Sequence, residues 1–190
     1  MTLAFDPPTP TAHATSAPSP WVQRWSHLVA ANGSVLDVAC GSGRHAHWFA
    51  ARGCAVTAID RDAVALASLN AVARTVLADL ENAPWPLPQQ RFDAVVVTNY
   101  LWRELMPQLV ASLNGQGVLI YETFSLGNAS VGKPSNPNFL LRSGELLQAF
   151  NGLRVVAFED GFLESPQRFV QRAVAVCETA STAADKRYPL

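Results

Sequence analysis

Residues 35–46 read VLDVACGSGRHA. The run begins as an apolar strand, carries an acid at Asp37, and breaks into Gly41 and Gly43, one residue apart. An unpaired carboxylate is costly to bury, and glycine weakens regular structure. A strand that accepts both at its end is one whose backbone comes close to a ligand. Free N–H groups at the start of the following helix would face that ligand.

Outward from this stretch, strand and helix signals alternate. Ser19 reads as the cap and Pro20 as the first residue of a helix that runs to Asn32-Gly33. After VLDVA, a helix spans Arg44 to Arg52 and stops at Gly53. AVTAID is the second strand, followed by a helix from Ala63 to Ala73 and a short strand from Thr75 to Ala78. Glu81 to Gln90 is a proline-bearing surface connection. FDAVVVTN, a helix through Leu101 to Leu113, a turn at Asn114 to Gly117 and GVLIYET come next. LRVVAFED and RFVQRAVAVC, after a helix at SGELLQAF, are two strands with a short link. Apolar, non-alternating strands separated by helices imply a sheet covered on both faces. The expectation is an α/β fold: a doubly wound, mostly parallel, seven-stranded Rossmann-like sheet with an antiparallel edge hairpin.

Composition narrows the function. The chain has 190 residues, 49% hydrophobic and 15% charged, enough for one domain with a sizeable core. Residues 19–178 form that domain, with 1–18 as a disordered lead-in and 179–190 as a flexible tail. A formal charge of -1, two lysines and no basic run give no electrostatic case for nucleic acid or membrane surface. No apolar run approaches the ~18 residues of a membrane span. The first twenty residues, with no Lys or Arg before Arg24, do not read as a signal or transit peptide. Cys40, Cys54 and Cys177 have no metal-ligand spacing, so no metal is expected, and a cytoplasmic setting is.

In sheets of this kind ligands sit beyond the carboxyl ends of the strands, at the switch point. Asp60 ends the second strand there, placed to accept both hydroxyls of a ribose. Gly41, Gly43 and Ala46 also fit the dinucleotide pattern G-x-G-x-x-G/A. Asp37 separates the two ligands: an acid is unfavourable beside a pyrophosphate but suits a cationic end. S-adenosylmethionine carries an ammonium, a sulfonium, a ribose and an adenine. Asp79, just after the third strand, can accept from an exocyclic amine such as adenine N6.

VLDVACGSGRHA, AVTAID, VLADLE and FDAVVVTNYL, in that order, resemble the class I S-adenosylmethionine-dependent methyltransferases. The resemblance implies a methionine end lined by Asp37 and the backbone at Ala39, Gly41 and Gly43. It implies a ribose held by Asp60 with Arg61 beside it, an adenine at Asp79 and Leu80, and Asn99 and Tyr100 near the reactive methyl. Each has a plainer alternative. The glycines could only make a turn, Asp60 could cap a helix, and Asp79 could cap the turn before Pro84. His45 and His47 read as helix-surface polar groups, and Trp21 and Trp25 as one packed face.

The acceptor should be met by residues 123–142, a long segment without a clean period. Its candidates, with Tyr100, are Lys133, Asn138, Phe139 and Arg142; Pro134 and Pro137 would stiffen it into an ordered lid. Asn99-Tyr100-Leu101-Trp102 lacks the paired prolines common after the fourth strand in enzymes that methylate base amines. The segment NPNFLLRSGELL is similar to one in the tellurite-resistance type of small methyltransferases, which implies a small, soft or anionic acceptor drawn by Lys133 and Arg142. The expected activity is methyl transfer to a small molecule. The alternatives are a non-catalytic S-adenosylmethionine-binding protein and a nicotinamide-dependent oxidoreductase.

Overall fold

A computed structural model describes residues 17–179 and 186–190. Most of the expected lead-in, and residues 180–185 of the expected tail, lie outside the described residues. The strands are β1 (Ser34–Val38), β2 (Ala55–Asp60), β3 (Arg74–Leu77), β4 (Phe92–Thr98), β5 (Leu113–Phe124), β6 (Arg154–Glu164) and β7 (Gln167–Val176). They form one seven-stranded sheet in the order β3-β2-β1-β4-β5-β7-β6. β1 to β5 pair in parallel, while β7 is antiparallel to both β5 and β6. The expected doubly wound sheet with an edge hairpin is the fold observed. The chain reverses its direction of build at β1, where β2 lies on one side and β4 on the other, and this is the switch point.

Apolar residues on both strand faces bury the sheet between two layers. Leu36, Val38, Val95, Val97, Leu119 and Tyr121 point to one side. There they meet Met106 and Leu109 of α4 (Met106–Ala111) and Leu146 of α5 (Glu145–Ala149). Val35, Ala94, Val96, Val118 and Ile120 point to the other. Their partners are Trp21 and Trp25 of α1 (Pro20–Trp25), Phe49 of α2 (Arg44–Ala51) and Leu66 of α3 (Ala63–Ala67). The two tryptophans do form one packed face, with ring centroids 5.6 Å apart.

Three helices are shorter than the sequence periodicity suggests, and a serine closes each. The Ser26, Ser68 and Ser112 hydroxyls donate to the carbonyls of Gln23, Ala65 and Gln108 at 2.8, 2.6 and 2.8 Å. A side chain that bonds back to the preceding turn competes with helix continuation. The expected turn at Asn114–Gly117 is a bulge inside β5: Phe92 pairs with Leu113, whereas Ala94 already pairs with Val118. Near the C-terminus the Tyr188 hydroxyl donates to Glu178 and Lys186 donates to Gln116. Among the described residues no helix is long and apolar enough to cross a membrane.

Candidate functional site

The loop after β1 is shaped by backbone that ordinary residues avoid. Ala39, Gly41 and Gly43 have φ of 51°, 53° and 73°. Such angles cost a residue with a Cβ roughly 1–2 kcal/mol, so Ala39 is held there by its surroundings. The two glycines serve different ends. A Cβ on Gly43 would lie 2.4 Å from Leu69 Cδ2, so Gly43 lets α2 pack closely against Leu69. A Cβ on Gly41 would enter open space, with nothing within 4 Å.

Asp60, at the end of β2, holds this loop in place. Its carboxylate accepts from the Gly41 N–H at 2.7 Å and from the Asp62 N–H at 2.9 Å. The cap of α3 is Asp62, which accepts from Val64 and Ala65 N–H groups, so Asp60 is not a helix cap. Asp79 does cap a turn. It accepts from the Glu81 and Asn82 backbone N–H groups and from the Asn82 side chain at 2.9 Å. The Asn82 amide, with these backbone bonds, holds the Asp79 carboxyl below the usual range.

Asp37 is buried at 1% exposure, and burial pushes its carboxyl up to about 7 against the pull of Ala46 N–H and Arg44. Its Oδ2 has no hydrogen-bond partner. His45 is buried, contrary to its expected place on a helix surface. Its Nε2 accepts from Ser19 N–H at 3.1 Å, and its Nδ1 lies 3.4 Å from Thr98 Oγ1. Burial, with Arg44 adjacent, pushes its pKa down to about 3, so the ring is neutral. His45 thereby ties the start of α1 to the end of β4.

A cavity of about 260 Å³ opens beside the loop. Ala39, Asp60, Arg61, Asp79, Leu80 and Asn99 line it, all of them expected cofactor residues, together with Tyr100. The sequence reading missed Ala78 and Glu81, which the turn after β3 brings in. Asp37, Gly41 and Gly43 are not in its wall: Asp37 lies in the sheet behind the loop. Asn99, like Ala39, is held at positive φ, 55°, with its N–H donated to Glu122 O. The residues fit a nucleoside with a cationic tail. Two carboxylates stand at strand ends, Gly41 leaves an open cradle, and the orphaned Asp37 Oδ2 behind the loop disfavours a pyrophosphate.

A second cavity, of about 230 Å³, shares Glu81, Asn99 and Tyr100 with the first. Its remaining wall is Leu101, Thr123, Phe124, Pro134 and Phe139. Residues 123–142 therefore do reach the site, through Pro134 and Phe139. Lys133, Asn138 and Arg142 do not. Asn138 and Arg142 line a separate cavity with Arg103, and Lys133 lines none of the three. Arg103 fixes the stretch that carries Asn138 and Arg142. Its guanidinium bonds both Glu145 oxygens at 2.6 and 3.0 Å and the carbonyls of Asn138 and Leu140 at 2.7 and 3.0 Å. It thus clamps 138–145 to the turn before α4. Asn128 holds the other end, donating to Pro134 O and accepting from Phe169 N–H. Neither Arg103 nor Asn128 carried a sequence signal for this role. Among the described residues no three His, Cys, Asp or Glu side chains form a metal site.

Residues 35–115 match the family model described as methyltransferase domain. The match takes in β1 to β4 and the loop after β1, somewhat under half of the chain, and points to the methyltransferase fold. Methyltransferases of this family use S-adenosylmethionine as the methyl donor. No curated protein matches the sequence. Among solved structures, the chain is similar to TehB from Haemophilus influenzae at 20% identity and a TM-score of 0.72, over 88% of this chain and 64% of that one. The chain thus spans under two thirds of TehB's length. A TehB-like S-adenosylmethionine-dependent methyltransferase from Corynebacterium glutamicum is 17% identical, with a TM-score of 0.61, over 82% of this chain and 85% of that one. The [4+2]-cyclase SpnF, 15% identical over 84% of this chain and 79% of that one, has a TM-score of 0.66. At these identities the likeness is one of fold.

Proposed function

We propose that the protein binds S-adenosylmethionine in the cavity beside Asp60 and transfers its methyl group to a small-molecule acceptor in the adjoining cavity. The observation that supports this reading is the shared wall: Asn99 and Tyr100 border both cavities. Asp60 would accept from the ribose hydroxyls, Asp79 and Leu80 would hold the adenine, and the cationic end would lie over the loop backed by Asp37. When bound, the cofactor supplies an electrophilic methyl carbon on a sulfonium. The protein's part is alignment and exclusion of water. Holding two reactants in line is worth up to about 7–11 kcal/mol. Phe124, Pro134 and Phe139 keep the acceptor side apolar, and the Arg103 clamp keeps their segment ordered. The anionic acceptor implied by the tellurite-resistance likeness loses its support here, since Lys133 and Arg142 stand away from this cavity.

Calorimetry tests the reading. S-adenosylhomocysteine should bind with micromolar-scale affinity, about −8 kcal/mol, and NADH should not bind. An acceptor screen that follows conversion of S-adenosylmethionine to S-adenosylhomocysteine should find turnover. Binding of NADH but not of S-adenosylhomocysteine would refute the cofactor. Cofactor binding without turnover on any acceptor would make this a binding protein.

A further inference from the structure

The acceptor-side cavity has one charged residue in its wall, and it is an acid. Asp79 turns the chain by accepting from the backbone N–H groups of Glu81 and Asn82, and this turn sets Glu81 where the two cavities meet. The rest of the wall is largely apolar: Leu101, Phe124, Pro134 and Phe139. Tyr100 faces both cavities, and its hydroxyl is buried without a hydrogen-bond partner. Burial, reinforced by the charges of Glu81 and Asp79, raises the Tyr100 pKa well above its ordinary value, so the hydroxyl stays protonated and neutral.

The wall of this cavity itself carries no positive side chain; Arg61 stands in the adjoining one, near enough to act on Tyr100. Arg103 is bonded to Glu145 and two carbonyls, Arg142 lines another cavity, and Lys133 lines neither the cofactor nor the acceptor cavity. An anion entering here would meet Glu81 at like charge, with no guanidinium or ammonium in the wall to receive it. A cation would meet a carboxylate in apolar surroundings, where attraction is stronger than in water.

Resting on the reading of this cavity as the acceptor site, we propose that its ligand is a compact apolar amine, recognised by Glu81 as an ammonium. Pro134 and Phe139, from the clamped segment, would close over the apolar body of the molecule. The recognition follows from charge and shape at the wall and is separate from which atom receives the methyl group.

The test uses two probes with one apolar body and opposite charge, 2-phenylethylamine and phenylacetate. Each is titrated calorimetrically into the full chain, with saturating S-adenosylhomocysteine and without it. The amine should bind at least about tenfold more tightly than the carboxylate, the size of one charge-assisted hydrogen bond. Glu81→Gln, which keeps the shape and removes the charge, should abolish that preference. Equal binding, preference for phenylacetate, a preference that survives Glu81→Gln, or no binding of either probe overturns the proposal. S-adenosylhomocysteine titrated alone reports separately on the cofactor. If it fails to bind while the amine preference holds, the cofactor reading falls and the amine site stands.

Discussion

Asp60 carries two loads. Its carboxylate anchors the Gly41 and Asp62 N–H groups, and it stands in the cavity wall where ribose hydroxyls would be met. Asp60→Ala should therefore lower S-adenosylhomocysteine affinity about tenfold to a hundredfold, as loss of hydrogen bonds to a charged group implies. The loop should also loosen, so the melting temperature should fall with it. Calorimetry and a thermal melt read the two effects apart. An unchanged affinity in a folded Asp60→Ala variant would leave Asp60 as a loop anchor alone. The place of Asp60 at a strand end was legible from the apolar run before it. Its backbone bonds were not, because which N–H groups face a carboxylate depends on the path of a distant loop. The same holds for Glu81: nothing in DLEN marks the glutamate, and only the Asp79 turn delivers it to the junction.

At the scale of the element, substitutions at the two glycines of one loop should separate stability from binding. Gly43→Ala places a Cβ against Leu69 at φ 73° and should destabilise the fold by roughly 1–3 kcal/mol. Gly41→Ala meets nothing within 4 Å, and its cost should appear mainly as lost cofactor affinity, with only the φ strain of roughly 1–2 kcal/mol charged to stability. Denaturant titration and calorimetry on both variants check this. Equal losses of affinity with equal stabilities would mean that the glycines share one role. The motif itself was plain in the sequence, yet the division of labour was not, since Leu69 lies in another element. Helix lengths show the same limit. Apolar periodicity ran past Ser26, Ser68 and Ser112, but each hydroxyl bonds back and ends its helix.

For the molecule as a whole, two buried groups set opposing pH dependences. Asp37 titrates near 3.8 unfolded and about 7 folded, so its contribution is fully present below about 4 and is lost as pH rises towards 7. His45 titrates near 6.5 unfolded and about 3 folded, so its contribution is present above about 6.5 and is lost as pH falls towards 3. Between about 4 and 6.5 the two slopes oppose each other. Asp37→Asn should make the ligand-free protein more stable at pH 8, on the order of a few kcal/mol, with the gain vanishing towards pH 4. The same variant should bind S-adenosylhomocysteine less tightly, because the ammonium loses its counter-charge. His45→Gln should leave stability that falls as pH rises from 4 to 7. Urea titrations at pH 5 and pH 8 measure both. A stability gain for Asp37→Asn equal at the two pH values would show that the Asp37 carboxyl does not titrate in this window.

The sequence by itself determined the layer order, the seven strands, the switch point and the acids at strand ends. These depend on local pattern: apolar runs, glycine breaks and the short distances between them. Only the tertiary structure decided which of those residues form walls and which stand behind them. It buried His45 under α1, set Asp37 behind the loop, and drew Lys133 and Arg142 away from the cavity lined by Tyr100 and Phe139 while Glu81 entered it. The physical reason is that charge and hydrogen-bond partners are assigned by approach across the sheet. Arg103 reaches Glu145 and the carbonyls of the long loop only after β4, β5 and their helices have packed, and no periodicity along the chain records that meeting.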